Sequence, residues 1–190
     1  MKWAERCTFE DVLASARAGE EQSFAALWRW LHPPLLRWLT VVEPRHVEDV
    51  ASEVWLAVAR GLTSFEGDER DFRAWVFTVA RRRSIDVARR RRRHPALAGL
   101  DEVDFADPTA VSSALVDAAV ALEAALKLLH RLTADQREVI ALRVIVGMSV
   151  AETAIVVNKT EGAVRALCHR GLRTLAERLD TQPLDVGVPA

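Results

Sequence analysis

The chain has 190 residues, half of them hydrophobic, and its 26 Lys and Arg residues nearly balance its 27 Asp and Glu residues. This composition suits one large or two small packed domains and argues against a disordered chain. A net charge of −1 does not indicate a nucleic-acid-binding protein, so that function must be judged from where the charges lie. The two cysteines, Cys7 and Cys168, are too isolated for a disulfide framework or a zinc knuckle.

The sequence predicts no membrane span and no export signal. Its most apolar stretch, residues 139–157, is interrupted by Arg143 and Glu152, and the first residues lack the apolar core of a signal peptide. We therefore expect a cytoplasmic protein, and we predict neither a metal ion nor another cofactor.

Helical signals dominate, because the chain is rich in Ala, Leu, Arg and Glu and lacks sustained alternation of apolar and polar residues. We predict an all-α fold of two small helical domains. Residues 11–40 predict two or three helices, broken near Gly19 and at Pro33-Pro34. Residues 47–60 predict a further helix that Gly61 ends, and residues 72–93 predict a long arginine-rich helix.

The predicted domains comprise residues 1–93 and 114–179. Residues 94–113 lie between them and predict a flexible linker, because they contain Pro, Gly and an acidic cluster. The cluster consists of Asp101, Glu102, Asp104 and Asp107. Residues 180–190 predict a disordered tail.

The second half of the arginine-rich helix predicts a contact with nucleic acid. Eight of the thirteen residues from Arg81 to Arg93 are arginine, and adjacent arginines repel one another unless an anion such as phosphate compensates. A basic localisation tract is the alternative, but this run continues a helix with an apolar stripe. Phe77 and Ile85 fall outside that stripe, so we expect the helix to be packed on more than one side.

Residues 149–175 predict a helix-turn-helix. Ser149–Glu152 fits a capping box, Asn158 suits a left-handed turn, and Thr160 can cap a second helix. The basic face of that second helix carries Arg165, His169, Arg170 and Arg173. The candidates for base recognition in a major groove are Thr160, Glu161 and Arg165. An ordinary helical hairpin with a solvated basic face is the alternative.

Two further segments are ambiguous when each is taken alone. In the helix over residues 47–60, Leu56 points outward between the carboxylates of Asp49 and Glu53, a pattern that by itself indicates a solvated face. The polar loop over residues 65–71 could hold an unstacked base, although such loops are usually connectors.

Taken together, these motifs resemble the extracytoplasmic-function sigma factors of bacterial RNA polymerase over residues 11–179. The resemblance rests on the order and spacing of AGE at 18–20, HP at 32–33, EDV at 48–50, FRAW at 72–75, AR at 80–81, ID at 85–86, LT at 132–133, QREV at 136–139, LR at 142–143, GMS at 147–149, GAVR at 162–165 and HR at 169–170. It implies three partners: core RNA polymerase, promoter DNA and an anti-sigma factor.

The resemblance also implies a role for each surface. Asp49, Glu53 and Leu56 would dock on the polymerase core, and the acidic linker would thread the basic channel of the polymerase. The residues implied for recognition and melting of the minus-ten element are Phe65, Arg81, Arg82, Asp86, Arg89 and Arg90. Those implied for the minus-thirty-five element are Thr160, Glu161, Arg165, His169, Arg170 and Arg173. Gly171 stands where the family usually has Ala, which predicts a loosened second half of this helix at about 1 kcal/mol of helix propensity.

Two other functions account for parts of the chain. A free-standing helix-turn-helix regulator explains residues 149–175 but leaves the arginine-rich helix and the acidic linker unexplained. An enzyme would need a catalytic or metal-binding set from Cys168-His169, or from Glu48, Asp49 and Glu53. We predict no catalytic residues, because adjacent helical residues diverge by about 100° and no His follows those carboxylates at i+3 or i+4.

Overall fold

The computed structural model describes residues 7–93 and 123–181, and every regular element in these ranges is helical, so the all-α prediction is confirmed. The first range contains α1 (Phe9–Arg17), α2 (Glu21–Val42), α3 (Val47–Gly61), a 3-10 turn (Leu62–Ser64) and α4 (Glu69–Arg93). The second contains α5 (residues 123–130), α6 (Ala134–Ile140), a π turn (Ala141–Ile145), α7 (Val150–Val157) and α8 (Glu161–Thr181).

Three of these helices begin with reciprocal capping boxes, in which a hydroxyl and a side chain three residues later satisfy free backbone amides. Thr8 and Asp11 begin α1, Thr133 and Gln136 begin α6, and Ser149 and Glu152 begin α7. The predicted Ser149–Glu152 box is therefore confirmed, and it fixes where the helix-turn-helix starts.

α2 is a single helix, so the predicted break at Pro33-Pro34 is wrong. A proline inside a helix removes a backbone hydrogen bond and costs about 3 kcal/mol or more. Four leucines on one side of α2 are almost fully buried, both before and after the prolines. They are Leu27, Leu31, Leu35 and Leu39. Their continuous packing holds the helix together across the prolines. The predicted break at Gly19 is confirmed, since this residue lies between α1 and α2 with a φ of +91°.

The two halves of the chain pack directly against each other. α4 contacts α3 and α2 in the first half and α7 in the second, and α2 also contacts α6 and the π turn. The buried apolar residues of both halves form one continuous core. Phe77, which falls outside the predicted stripe, is fully buried, which confirms that α4 is packed on more than one side.

Some predictions fall on residues that the structure does not describe. The linker, residues 94–113, and the end of the tail, residues 182–190, lie outside the described ranges. α8 ends at Thr181, two residues beyond the predicted end of its domain. Within the described ranges, no helix is long and apolar enough to cross a membrane.

Candidate nucleic-acid and polymerase interfaces

The second half of the structure contains the helix-turn-helix that the sequence predicts. α7 ends at Asn158, whose φ and ψ of 53° place it in the left-handed region that Asn tolerates better than most residues. Thr160 then begins α8, and its Oγ1 accepts a hydrogen bond from the backbone N–H of Ala163 at 3.2 Å. Val164 is fully buried one turn later. These contacts fix the direction of α8 relative to α7.

Five of the six residues predicted for duplex recognition lie on α8, and Thr160 immediately precedes it. All six are exposed: Thr160, Glu161, Arg165, His169, Arg170 and Arg173. Two of the arginines pair with acids on the same helix. Nη2 of Arg165 lies 2.6 Å from Oε2 of Glu161, and Nε of Arg173 lies 2.8 Å from Oε1 of Glu177. Because such solvated pairs are weak, a phosphate can compete for either guanidinium.

Gly171 has a packing role rather than a loosening one. It is buried where α8 crosses α6, and a Cβ at this position would lie 2.6 Å from Cδ1 of Ile140. The predicted loosening of α8 is therefore wrong, because the helix continues through Gly171 to Thr181. The sequence shows only the unfavourable helix propensity, whereas the compensating approach of α6 appears only in three dimensions.

The predicted minus-ten residues of α4 fall on two different faces. Arg82, Asp86, Arg89 and Arg90 are exposed. Arg82, Asp86 and Arg89 lie within about 60° of one another on the helical wheel and present one mainly basic face to solvent. Arg81 points elsewhere: its Nε lies 2.7 Å from Oε1 of Glu138 in α6.

A second ion pair joins the same two halves. Nη2 of Arg73 in α4 lies 2.5 Å from Oε1 of Glu152 in α7, and Nε of Arg73 also donates to this oxygen at 2.9 Å. The other oxygen of Glu152, Oε2, accepts from the backbone N–H of Ser149 at 2.7 Å. The sequence around Glu152 predicts only the capping box. It does not reveal this second contact, because no local pattern indicates a partner 79 residues away.

The surroundings of these two carboxylates shift their pKa values in opposite directions. Burial raises the pKa of Glu138, and the nearby Arg81 only partly offsets this effect. Burial also acts to raise the pKa of Glu152, but hydrogen bonds from Ser149 and Arg73 outweigh it and the net pKa is lowered. Glu152 is therefore firmly ionised in its site.

Phe65 lies in the core rather than at an exposed position. Only 9% of the residue is exposed, its ring stacks on Trp75 with a centroid distance of 5.0 Å, and it meets the edge of Phe72 at 5.3 Å. In this conformation it offers no free face to a base. The sequence pattern of a polar loop did not reveal that the single aromatic residue in it anchors the loop to α4.

The loop after Phe65 is an ordered helix cap. Oδ1 of Asp68 accepts from the backbone N–H groups of Arg70 at 2.7 Å and Asp71 at 2.9 Å. The Asp71 hydrogen bond is the main reason that the pKa of Asp68 is lowered. Gly67 has a φ of +145°, and a Cβ there would lie 2.6 Å from Cβ of Asp71, so the tight turn requires glycine.

The outward face of α3 carries the three residues that the sequence analysis predicts for docking. Asp49 and Leu56 are exposed, and 57% of Leu56 is accessible to solvent. Glu53 is half-buried, and its Oε2 lies 3.7 Å from Nη1 of Arg83 in α4. The opposite face of α3, which includes Val50 and Val54, is buried in the core. This orientation leaves an apolar side chain beside two carboxylates on the same surface.

A hydrogen bond between α3 and α2 helps to fix that orientation. Nε1 of Trp55 donates to Nδ1 of His32 at 3.2 Å, so this nitrogen must carry no proton. Burial lowers the pKa of His32 despite the opposing charge of Glu48, and thereby keeps the ring neutral. Trp28 stacks on the same ring at a centroid distance of 4.2 Å.

The described residues show no arrangement that would hold a metal. Within residues 7–93 and 123–181, no three His, Cys, Asp or Glu side chains cluster closely enough to ligate an ion. Cys7 is exposed, and Cys168 is partly buried in α8 with its thiol free.

Both halves of the chain match models of known protein families. The model described as Sigma-70 region 2 matches residues 27–94, and the model described as Sigma-70, region 4 matches residues 122–175. The two matches are separated by residues 95–121, which include most of the predicted linker and the first residues of the predicted second domain.

Curated proteins with similar sequences are named as ECF RNA polymerase sigma factors. BldN of Streptomyces coelicolor is 34% identical over 176 residues, which cover 89% of this chain and 65% of BldN. ShbA of Streptomyces griseus is 35% identical over 177 residues, covering 84% of this chain and 91% of ShbA. SigX of Bacillus subtilis is 30% identical over 166 residues, covering 84% of this chain and 85% of SigX.

Solved structures also share the fold. The structure of CnrH in complex with the cytosolic domain of CnrY aligns with a TM-score of 0.68 at 26% identity, covering 90% of this chain and 96% of that chain. The sigma factor RpoE of Bartonella quintana, in complex with the anti-sigma factor NepR, aligns with a TM-score of 0.65 at 23% identity. That alignment covers 85% of this chain and 99% of RpoE.

Proposed function

Because the chain belongs to the extracytoplasmic-function sigma factors of the sigma-70 family, which direct RNA polymerase to promoters, we propose a role in that activity for each surface described above. The observation that carries the proposal is the combination of a helix-turn-helix with exposed basic residues and a second basic helix in one chain. A free-standing helix-turn-helix regulator is not favoured, because the first half of the chain also matches a sigma-70 region.

We infer that the surface formed by Asp49, Glu53 and Leu56 docks on the polymerase core. An apolar side chain beside two carboxylates suits a basic partner helix, since the leucine gains burial while the acids select the charge. The ion pair of Glu53 with Arg83 is long and solvated, so its loss should cost the fold at most about 1 kcal/mol. Removing these acids should therefore weaken docking without unfolding the chain.

The docking proposal can be tested with the double variant Asp49→Ala/Glu53→Ala. Its affinity for core polymerase should fall, while its thermal unfolding stays close to that of the wild type. A matched control is Glu10→Ala/Glu21→Ala, which removes two exposed carboxylates from α1 and α2 and should bind polymerase as the wild type does. Unchanged polymerase affinity in the first variant would remove the docking assignment.

We infer that α8 lies in the major groove of the upstream promoter element. Thr160, Glu161 and Arg165 lie at its N-terminal end, where a recognition helix contacts base edges, and His169, Arg170 and Arg173 would reach phosphates. Arg165→Ala or Arg170→Ala should weaken promoter binding by the complex with polymerase. Arg178→Ala is the control, because this exposed arginine lies near the end of α8, off the basic face. Equal losses in all three variants would indicate a general charge effect and contradict the assignment.

We infer that α4 provides the minus-ten contacts through Arg82, Asp86, Arg89 and Arg90, with Arg81 joining them once its ion pair with Glu138 is broken. A role for Phe65 in holding a base requires that its ring leave Trp75 and Phe72. Phe65→Leu separates the two roles, because leucine keeps the apolar contact but removes the stacking surface. If Phe65 holds a base, strand opening by the variant should fail while its folding is kept.

We also infer the partner and the cellular setting. The similar structures of CnrH and RpoE each contain a further protein, the cytosolic domain of CnrY and the anti-sigma factor NepR. We propose that this chain is likewise bound by an anti-sigma factor, that it acts in the cytoplasm, and that it catalyses no reaction of its own.

The experiment that tests the whole proposal is transcription in vitro on total genomic DNA with core polymerase, with and without the purified chain. Sequencing of the 5′ ends should reveal start sites that depend on the chain and share two upstream elements. A chain that neither binds the core enzyme nor adds any start site would refute the proposed function.

A further inference from the structure

A cavity lies where α2, α4 and α6 meet. Its volume is about 360 Å³, which falls within the range of about 300–1,000 Å³ that is usual for small-molecule sites in proteins. One part of its wall is apolar, with Trp38 and Val42 from α2 and Ile85 and Ala88 from α4. The cavity is therefore large enough for a small organic molecule and offers it an apolar surface.

The polar part of the wall carries more positive than negative charge. Arg81, Arg89 and Arg137 line it together with Glu43 and Glu138, so the arginines outnumber the carboxylates. Arg81 is paired with Glu138. Burial raises the pKa of Glu138, so its negative charge is held less firmly than that of a solvated glutamate. The balance of charge at this wall favours an anionic ligand over a cationic one.

Arg137 has no counterion in the described part of the chain. Its Nη1 lies 2.9 Å from Nδ1 of His130, and no carboxylate of residues 7–93 or 123–181 forms an ion pair with it. Burial lowers the pKa of Arg137, because the partly enclosed guanidinium has lost water without gaining a negative partner. An anion in the cavity would supply this partner.

The indole of Trp38 is a second unsatisfied group at the same wall. Its Nε1–H is fully buried, and the residues that the structure describes provide no hydrogen-bond acceptor for it. Buried donors are almost always paired, so an unpaired donor in the wall of a cavity indicates a place for an acceptor from a bound molecule. The cavity thus combines an unpaired cation with an unpaired hydrogen-bond donor.

We propose that this cavity binds a small organic anion. The anionic group pairs with Arg137 and with Arg89, which likewise has no carboxylate partner among the described residues. The apolar part of the ligand lies against Val42 and Ile85. The site does not depend on the proposed function, because ligand binding can be measured on the chain without polymerase or DNA.

The site can be tested by NMR titration of the isotope-labelled, full-length chain. The probes are 2-naphthoate and octanoate, which share a carboxylate but have an aromatic and an aliphatic body, and 2-naphthamide is the uncharged counterpart. The indole N–H signal of Trp38, identified by its absence in Trp38→Phe, should shift and saturate. For molecules of this size we expect a dissociation constant of about 1 mM or lower for at least one acid. The amide should bind about tenfold more weakly than 2-naphthoate, because it lacks the charge.

Two substitutions locate the site. Ala88→Leu fills part of the cavity and should abolish the shift, whereas Ala59→Leu, at an exposed position of α3, should leave it unchanged. Arg137→Gln should weaken binding of the acids about tenfold, and Arg137→Lys should weaken it less because the positive charge remains. Arg178→Gln is the matched control, since this exposed arginine lies near the end of α8 and does not line the cavity. Thermal unfolding without probe checks that each variant is folded.

The outcomes distinguish a ligand site from a cavity that holds only water. A saturable shift of the Trp38 signal that is lost in Ala88→Leu supports the site. No saturable shift with either acid, or equal binding by the folded Ala88→Leu variant, would overturn it. Equal affinity for 2-naphthoate and its amide, or for the acids in Arg137→Gln and the wild type, would overturn the assignment of an anionic ligand.

Discussion

Replacing Leu56 with alanine should weaken polymerase binding about tenfold without destabilising the protein. Complete burial of a leucine side chain contributes about 1.5–3 kcal/mol relative to exposure. Since 57% of Leu56 is still accessible, docking can bury somewhat more than half of the residue. The share lost on truncation to alanine is about 1–1.5 kcal/mol, which corresponds to roughly a tenfold change in dissociation constant.

This substitution should leave the stability of the fold unchanged. Leu56 is on the solvent side of α3, and alanine has a helix propensity at least as high as that of leucine. Urea denaturation should therefore give a midpoint indistinguishable from that of the wild type. A change in the midpoint would mean that Leu56 supports the core, contrary to its exposure.

The assay is titration of labelled core polymerase with the wild type, Leu56→Ala and Leu179→Ala. The last is a matched truncation, because 40% of Leu179 is exposed at the far end of α8. We expect weaker binding only for Leu56→Ala. Equal affinity of all three proteins would refute the reasoning that the outward leucine of α3 is a contact.

Three further predictions concern the helix-turn-helix half. Gly171→Ala should lower the free energy of unfolding by up to about 2 kcal/mol, because overpacking against Ile140 outweighs the gain in helix propensity. Adding Ile140→Val removes the clashing methyl, so the double variant should lose less in urea denaturation than the sum of the single losses. Asn158→Val should destabilise the turn by about 1–2 kcal/mol in the same assay, whereas Asn158→Gly should be nearly neutral, since only the branched residue resists a positive φ. Finally, the pKa of Glu152 is lower in the folded chain than its ordinary value of 4.5, so the ionised carboxylate stabilises the fold at pH values above 4.5. This contribution disappears as the pH falls through the lowered pKa. Glu152→Gln should therefore flatten the acid side of the stability profile, and an unchanged slope below pH 5 would contradict the assigned pKa.

Local sequence patterns predicted the features whose physics is local. The capping box at Ser149, the left-handed turn at Asn158 and the outward position of Leu56 each depend on residues within a few positions. Helical periodicity similarly indicated the buried face of α3 and the packing of Phe77. Each of these predictions is confirmed in the described residues.

The incorrect predictions involved residues whose partners are distant in sequence. Prolines in α2 predicted a break because the packing of its leucines against other helices is not a local property. Gly171 suggested a weak helix because the approach of Ile140 was not visible. The burial of Phe65 was likewise not predicted, because its stacking on Trp75 depends on how the loop folds back. The ion pairs that Arg73 and Arg81 form with the second half of the same chain were missed for the same reason.

The two carboxylate oxygens of Glu152 make two different contacts, and this has a consequence for mutations at this position. One oxygen secures the start of α7 through Ser149, while the other binds Arg73 across the molecule. Most substitutions at residue 152 would therefore disturb both the start of the helix-turn-helix and its contact with α4 in a single step. A glutamine at this position keeps the side chain that the capping box needs but removes the charge that pairs with Arg73.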